Sequence, residues 1–237
     1  MGRYNFDKIV DRKHTKSLKY DFAVQRGKPA DVLPFWVADM DFEIPSELKQ
    51  VLLDRVNHGI FGYTESDDAY FNVLKEWFAS RFNWNIDKKW LVKTPGVVFA
   101  LAMAVRSFTK EGEGVLINQP VYYPFSMVID DNNRNLINVP LIQGEDRYTI
   151  DFEGVERAII EHNVTLFLLC NPHNPVGRVW TEEELKRLGD ICIKHNVIII
   201  SDEIHADFVW DGHKHTVFAN LGESYAEHCI VCTAPSK

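Results

Sequence analysis

The chain has 237 residues, of which 46% are hydrophobic and 25% charged, a balance typical of a globular protein with a packed core. Its formal net charge is −8, from 26 basic and 34 acidic residues. Because the basic residues are dispersed along the chain, the charge pattern argues against a nucleic-acid-binding surface. No stretch approaches the length of a membrane span, and the segment Met1–Phe6 lacks the apolar core of a signal peptide. We therefore expect a protein without nucleic-acid or membrane partners.

Acidic and sulfur-containing residues give little support to a metal site. Asp39 and Asp41 are spaced by one residue and a carboxylate pair can bind a metal, but no histidine cluster accompanies them. The Cys229-x-x-Cys232 pair has no second ligand pair, and all four cysteines lie within or beside apolar runs, where a buried thiol suits a core strand. The sequence predicts a reduced, cytoplasmic protein with no metal.

The N-terminal part predicts an arm followed by helices. Residues up to Arg26 are polar and irregular, which is typical of a solvated arm, and we assign residues 1–45 to an N-terminal arm or small-domain segment. Apolar spacing predicts helices over 45–58 and 67–82, the first starting at Pro45 and ending before Gly59.

From about residue 90 onward, strand-like and helix-like segments alternate. This alternation predicts an α/β fold with a mostly parallel sheet over residues 46–237. The predicted strands are 90–93, 115–117, 164–170, 197–200 and 229–232, with another apolar run at 136–142, and the predicted helices are 97–110, 151–162 and 181–195. Asp211-Gly212 predicts a hairpin turn that places His213 and His215 on the surface.

Polar side chains follow three of the predicted strands directly. Asn171–Gly177, with the sequence Asn-Pro-His-Asn-Pro-Val-Gly, follows one strand, Asp202 ends the next, and Lys237 comes soon after Cys229–Cys232. The two Asn-Pro steps favour an extended, rigid turn that fixes the direction of the Asn174 amide. Parallel α/β folds carry their chemistry at the carboxyl ends of strands, so these residues are candidates for one site.

Asparagine, aspartate and lysine in this order, each at a strand end, resemble the fold-type I pyridoxal-phosphate enzymes of the class I/II aminotransferase superfamily. Segments 12–21 and 32–42 are similar to the cystathionine β-lyase/C–S lyase branch, the MalY/PatB type. The resemblance implies a three-layer α/β/α large domain, pyridoxal 5′-phosphate as cofactor and a homodimer. It also implies that the C-terminal small domain, with its arginine for the substrate carboxylate, is absent from this chain.

The resemblance assigns roles to the strand-end residues. Lys237 would hold the cofactor as a Schiff base and act as the catalytic base. Asp202 would contact the pyridinium nitrogen, and a buried carboxylate does need such a cation to stay charged. Asn174 would donate to the ring oxygen, and Tyr122 would stack on the ring.

Other cofactor contacts are implied around a turn that starts a helix. After Gly96, the resemblance aligns the amides of Val97 and Val98 with those that hold the cofactor phosphate, and unpaired N–H groups at a helix start do favour anions. Tyr123 would be a proton donor. His205 stands where tyrosine is commoner in aminotransferases, so its role near the ring oxygen is open.

Tyr63 has two interpretations, a loop aromatic or, by the resemblance, a residue that reaches the partner subunit's cofactor phosphate.

The branch similarity implies a β-lyase that cleaves the C–S bond of cystathionine, cysteine or a related amino acid to a thiol, pyruvate and ammonia. An aminotransferase would use the same residues, and only segments 12–21 and 32–42 separate the two functions. A regulatory protein on the same scaffold is a third hypothesis, which the intact set of Lys237, Asp202 and Asn174 argues against.

Overall fold

The computed structural model describes residues 4–237, so the prediction for the first three residues, Met1–Arg3, lies outside the described part. The chain divides into two compact units, one up to Glu65 with which Lys237 groups, and one from Ser66 to Ser236. The domain boundary expected after residue 45 stays a prediction. Among the described residues, no helix combines the length and the apolar character that crossing a membrane requires.

The described residues of the first unit form two α-helices, α1 (Leu18–Asp21) and α2 (Ser46–His58). Helix α2 confirms the helix predicted over 45–58, with Pro45 directly before its first residue. It ends at Gly59, whose φ of 74° lies in the left-handed region that glycine adopts without steric cost.

The polar N-terminal arm is mostly exposed, as expected of a solvated arm, but ion pairs bury part of its centre. The Arg12 guanidinium bonds Asp39 at 2.8 Å and Asp41 at 2.7 Å, and Lys19, only 9% exposed, bonds Asp41 at 3.0 Å. Hydrogen bonds from Arg12 and then Lys19 lower the pKa of Asp41 to about 2. The Asp39–Asp41 pair therefore joins the two segments 12–21 and 32–42 through ion pairs.

The second unit consists of seven strands and six helices among its described elements. The strands are β1 (Gly114–Ile117), β2 (Asn135–Asn138), β3 (Ile142–Gln143), β4 (Tyr148–Thr149), β5 (Leu166–Cys170), β6 (Ile198–Asp202) and β7 (Cys229–Cys232). The helices are α3 (Asp68–Phe82), α4 (Val97–Phe108), α5 (Pro124–Asp130), α6 (Phe152–His162), α7 (Glu182–Lys194) and α8 (Glu223–Ala226).

Five strands form one parallel sheet in the order β2-β1-β5-β6-β7, which confirms the predicted α/β class. Successive side chains of a strand point to opposite faces, and the core divides accordingly. Leu116, Phe167 and Ile199 belong to a cluster with α6 and α7, whereas Ile117 and Ile200 belong to a second cluster with α4 and α5. The sheet is thus the middle of three layers.

One sequence prediction of a strand needs correction. Residues 90–93 form no strand, because the 3₁₀ turn Lys88–Trp90 occupies their start and the side chains of Trp90 and Val92 remain exposed without a neighbouring strand. The apolar run 136–142 is divided between β2 and β3, with Pro140 in between, where proline has no N–H for a ladder.

Candidate active site

The carboxyl ends of the parallel strands place the predicted residues at one edge of the sheet. Tyr122 follows β1, Asn174 lies in the turn after β5, and Asp202 is the last residue of β6. Main-chain bonds continue beyond the strands, from Asn171 N to Asp202 O at 2.9 Å and from Glu203 N to the carbonyl of Cys232 at 2.8 Å. Main-chain hydrogen bonds therefore hold together the turns that follow these strands.

Asp202 is buried at this edge, with only 4% of its surface exposed. One carboxylate oxygen accepts a hydrogen bond from Ile204 N at 3.1 Å. Burial, Tyr123 and Asp202, in that order, raise the pKa of Tyr122, so the Tyr122 hydroxyl lies within electrostatic reach of this carboxylate. Burial and the same carboxylate also raise the pKa of Cys170. The site thus holds a buried carboxyl group beside a phenol and a neutral thiol.

Hydrogen bonds to Cys170 hold the turn that carries Asn174. Asn174 N donates to the Cys170 sulfur at 3.3 Å, and the Trp180 indole donates to the Cys170 carbonyl at 3.0 Å. Gly177 closes the turn with a φ of 69° and donates to the His173 carbonyl at 2.9 Å. These contacts leave the Asn174 side chain half-buried at the edge.

Helix α4 contributes unpaired amides to the same edge. It is connected to the start of β1 through residues 109–113, so its first turn points toward the carboxyl ends of the strands. No side chain caps its N-terminus at Gly96, and a Cβ built there would meet no atom within 4 Å. The amides of Val97 and Val98 therefore begin the helix beside open space, where an anion is favoured.

The other predicted site residues are Tyr123, His205, Tyr63 and Lys237. Tyr123 is 70% exposed, with its ring centroid 5.4 Å from that of Tyr122. His205 is half-buried in the turn after β6. Tyr63 is exposed in the first unit, and Lys237, five residues past the end of β7, groups with that unit. The roles assigned to all these residues stay predictions.

The surface position predicted for the His-x-His pair is wrong for one of its members. His213 is exposed, but His215 is only 4% exposed and its Nε2 lies 2.7 Å from Glu203 Oε2. Glu203 Oε1 also accepts from the Ser201 hydroxyl at 2.8 Å and from Phe218 N at 2.9 Å. Gly212 makes the predicted turn, but strands do not flank it within the described residues, so no hairpin forms.

Sequence reasoning also missed His173, which lies inside the motif it singled out. The imidazole is 3% exposed, and its Nε2 lies 2.9 Å from the Pro120 carbonyl. Burial, before any other cause, lowers the pKa of His173 to about 4. The sequence signal that could have pointed to this residue is a histidine between two prolines in a turn at the end of a strand.

A groove of about 470 Å³ runs along α4 near the edge strand β7. Its lining includes Thr94, Val97 and Thr233 but neither Asp202 nor Asn174, so it adjoins the candidate site without containing it. No group of three or more metal-ligating side chains occurs in the part of the chain that the structure describes.

Comparison with known proteins identifies the family. The family model "Aminotransferase class I and II" matches residues 30–237. The chain belongs to this family. It is 44% identical to cystathionine β-lyase PatB of Bacillus subtilis over 233 residues, covering 98% of this chain and 60% of PatB. It is 35% identical to protein MalY of Escherichia coli over 219 residues, covering 92% of this chain and 56% of MalY.

A solved structure of similar fold is cystalysin from Treponema denticola with pyridoxal 5′-phosphate. It has a TM-score of 0.92 and 41% identity, covering 98% of this chain and 60% of cystalysin. The predicted resemblance to the cystathionine β-lyase/C–S lyase branch is confirmed, as is the fold. The chain spans about 60% of the length of these relatives.

Proposed function

We propose that the protein is a pyridoxal-phosphate-dependent C–S β-lyase that converts cystathionine, cysteine or a related amino acid, with water, into a thiol, pyruvate and ammonia. The observation that carries the proposal is the buried Asp202 carboxylate, which lies at the same sheet edge as Tyr122 and the Asn174 turn. The similarity to PatB over 98% of the chain supports the choice of reaction.

The residues at the edge fit pyridoxal phosphate by their chemistry. Asp202 offers a buried carboxylate to a cationic ring nitrogen, and Asn174 offers an amide to a ring oxygen. The open, uncapped start of α4 offers the Val97 and Val98 amides to a phosphate. When bound, the cofactor supplies an electron sink for negative charge at the substrate α-carbon.

The chain's own residues would perform the proton transfers. Lys237 would carry the cofactor covalently and, once its amine is released by the substrate amine, would take the α-proton. Tyr123, exposed beside Tyr122, would donate a proton to the leaving thiolate. Tyr122 would hold the flat ring by stacking, and His205 would hydrogen-bond near the ring oxygen.

The proposal extends to assembly and location. We expect a homodimer in which Tyr63, exposed in the first unit, reaches the partner subunit's cofactor phosphate. We also expect a cytoplasmic protein, with its four cysteines as free thiols.

The deciding experiment supplies the full-length protein with pyridoxal phosphate and L-cystathionine, without a keto acid. We expect pyruvate and free thiol in equal amounts over many turnovers. The Lys237→Ala variant should lose at least roughly 100-fold in turnover, the contribution of a general base. The matched control is Lys194→Ala, an exposed lysine at the end of α7, which should keep wild-type turnover.

Other outcomes would identify another function. Loss of amino acid only when a keto acid is present would identify an aminotransferase, which the family model also covers. A protein that binds the cofactor but turns over in neither assay would favour a regulatory role.

A further inference from the structure

The buried imidazole of His173 joins two turns of the candidate site. Its Nε2 is 2.9 Å from the carbonyl of Pro120, 53 residues earlier in the chain. Pro120 lies two residues before Tyr122, and His173 directly precedes Asn174. The bond therefore connects the residue expected to stack on a flat ring with the residue expected to orient that ring.

The main chain does not make this connection. Strands β1 and β5 are neighbours, but their ladder is limited to Val115↔Leu166 and Leu116↔Phe167. Within the described chain, no other hydrogen bond joins turn 118–123 to turn 171–177. Hydrogen bonding between the two turns thus depends on one side chain.

The surroundings of His173 fix its ring and its tautomer. A carbonyl only accepts, so the contact with Pro120 requires the hydrogen on Nε2, while no hydrogen bond of ordinary geometry reaches the buried Nδ1. The Trp180 ring packs edge-on against the imidazole, with centroids 5.5 Å apart at 86°. Main-chain bonds to Arg178 at 2.7 Å and from Gly177 at 2.9 Å hold the backbone of His173 in place. The Nε2–H group is therefore held in the orientation that reaches the Pro120 carbonyl.

We propose that His173 is a positioning residue, whose Nε2–H···O=C bond to Pro120 holds Tyr122 and Asn174 in the spacing that a bound pyridoxal phosphate requires. The inference rests on the proposed function for the identity of that group. It does not make His173 a proton carrier, because the imidazole is buried and faces a carbonyl.

Three substitutions separate the hydrogen bond from the packing. The amide nitrogen of His173→Gln reaches the position of Nε2 and keeps the donor. His173→Phe keeps a flat ring against Trp180 but has no donor. In His173→Asn the shorter amide reaches only the position of Nδ1, so the donor toward Pro120 is also lost. The remote control is His195→Gln at the end of α7, where Nε2 contacts Glu156 at 2.9 Å.

The first readout is the dissociation constant of pyridoxal phosphate, titrated by the quenching of tryptophan fluorescence. Losing the bond should raise this constant about tenfold in His173→Phe and His173→Asn, which corresponds to about 1.4 kcal/mol. His173→Gln and His195→Gln should stay within about twofold of wild type. In steady-state kinetics, kcat should fall in the two donor-free variants while KM for L-cystathionine changes less, because the ring rather than the substrate is misplaced.

The second readout needs neither cofactor nor substrate. In the cofactor-free protein, amide hydrogen exchange over residues 118–125 should be faster in His173→Phe than in His173→Gln, with residues 198–202 unchanged in both. If the wild type binds no pyridoxal phosphate, the proposed function fails, but this exchange difference still tests the link. Equal cofactor affinity and equal exchange in the Phe and Gln variants would overturn the proposal, as would equal impairment of both.

Discussion

The pair of Glu203 and His215 gives the most direct test of how the end of β6 is held. Glu203→Leu removes the carboxylate while roughly keeping the side-chain volume. We expect a large loss of stability, because three donors then lose their acceptor at once. They are His215 Nε2 at 2.7 Å, the Ser201 hydroxyl at 2.8 Å and Phe218 N at 2.9 Å.

The magnitude follows from the burial of both partners. The side chains of His215 and Glu203 are 1% and 2% exposed, so water cannot replace the lost bonds. An unsatisfied buried polar group costs about 1–3 kcal/mol, and here three buried donors lose one acceptor together. We therefore expect Glu203→Leu to lower the free energy of unfolding by about 4 kcal/mol. Glu203→Gln, which keeps an acceptor oxygen for Ser201 and Phe218, should cost about half of that.

The assay is equilibrium unfolding in urea, monitored by tryptophan fluorescence, with a double-mutant cycle. His215→Leu in the Glu203→Leu background should cost at least about 1 kcal/mol less than in the wild type, because the buried hydrogen bond that it breaks is already gone. Exposed Glu227→Leu, on the same unit, should change stability by at most about 0.5 kcal/mol. Additive costs, or a loss below about 1 kcal/mol for Glu203→Leu, would refute the assignment of a coupled buried pair.

Three further results are expected. As pH falls from about 6.5 to about 4, the free energy of unfolding should decrease by up to roughly 3 kcal/mol, because the His173 ring takes up a proton in the unfolded chain but stays neutral when buried in the folded protein. The His173→Gln variant should show a flatter dependence on pH in the same urea titrations. Gly189→Ala should destabilise the protein by about 1–2 kcal/mol in thermal unfolding, because the new Cβ would lie 2.6 Å from the Tyr225 ring. This overlap outweighs the gain of about 1 kcal/mol in helix propensity. A raised melting temperature would contradict this expectation. Arg12→Ala should raise the pKa of Asp41 from about 2 toward its ordinary value, as followed by carboxyl carbon NMR, and an unchanged pKa would show that Lys19 suffices.

Segments with strong local signals were predicted well from the sequence. The apolar run before Asp202 became β6, and the helix predicted over 181–195 became α7, which begins with a capping box of Thr181 and Glu184. Parallel pairing then brought Asn174 and Asp202 to one sheet edge, as the order of their strands implied. Local pattern and global fold agree at these positions, and the fold was predictable for that reason.

The failures have a common physical cause in contacts between residues distant along the chain. Trp90 and Val92 form a β-like run, but a strand exists only where a neighbour pairs with it, and none does among the described residues. His215 looked like a loop residue because nothing in its local sequence reveals Glu203, 12 residues earlier, as its partner. The ion pairs of Asp41 were not predicted, because its cations, including Arg12, come from another segment.

Among the described residues, three hydrogen bonds link the turns at the carboxyl edge of the sheet from β1 to β7. Two belong to the main chain, Asn171 N to Asp202 O between β5 and β6, and Glu203 N to Cys232 O between β6 and β7. Single substitutions cannot delete these bonds unless they introduce proline. The link between β1 and β5 is made by the His173 side chain alone, so it is the one of the three that can be removed without disturbing the backbone. Because main-chain bonds of their own hold the residues on both sides of Asp202, deleting the His173 link should loosen turn 118–123 and leave Asp202 in place.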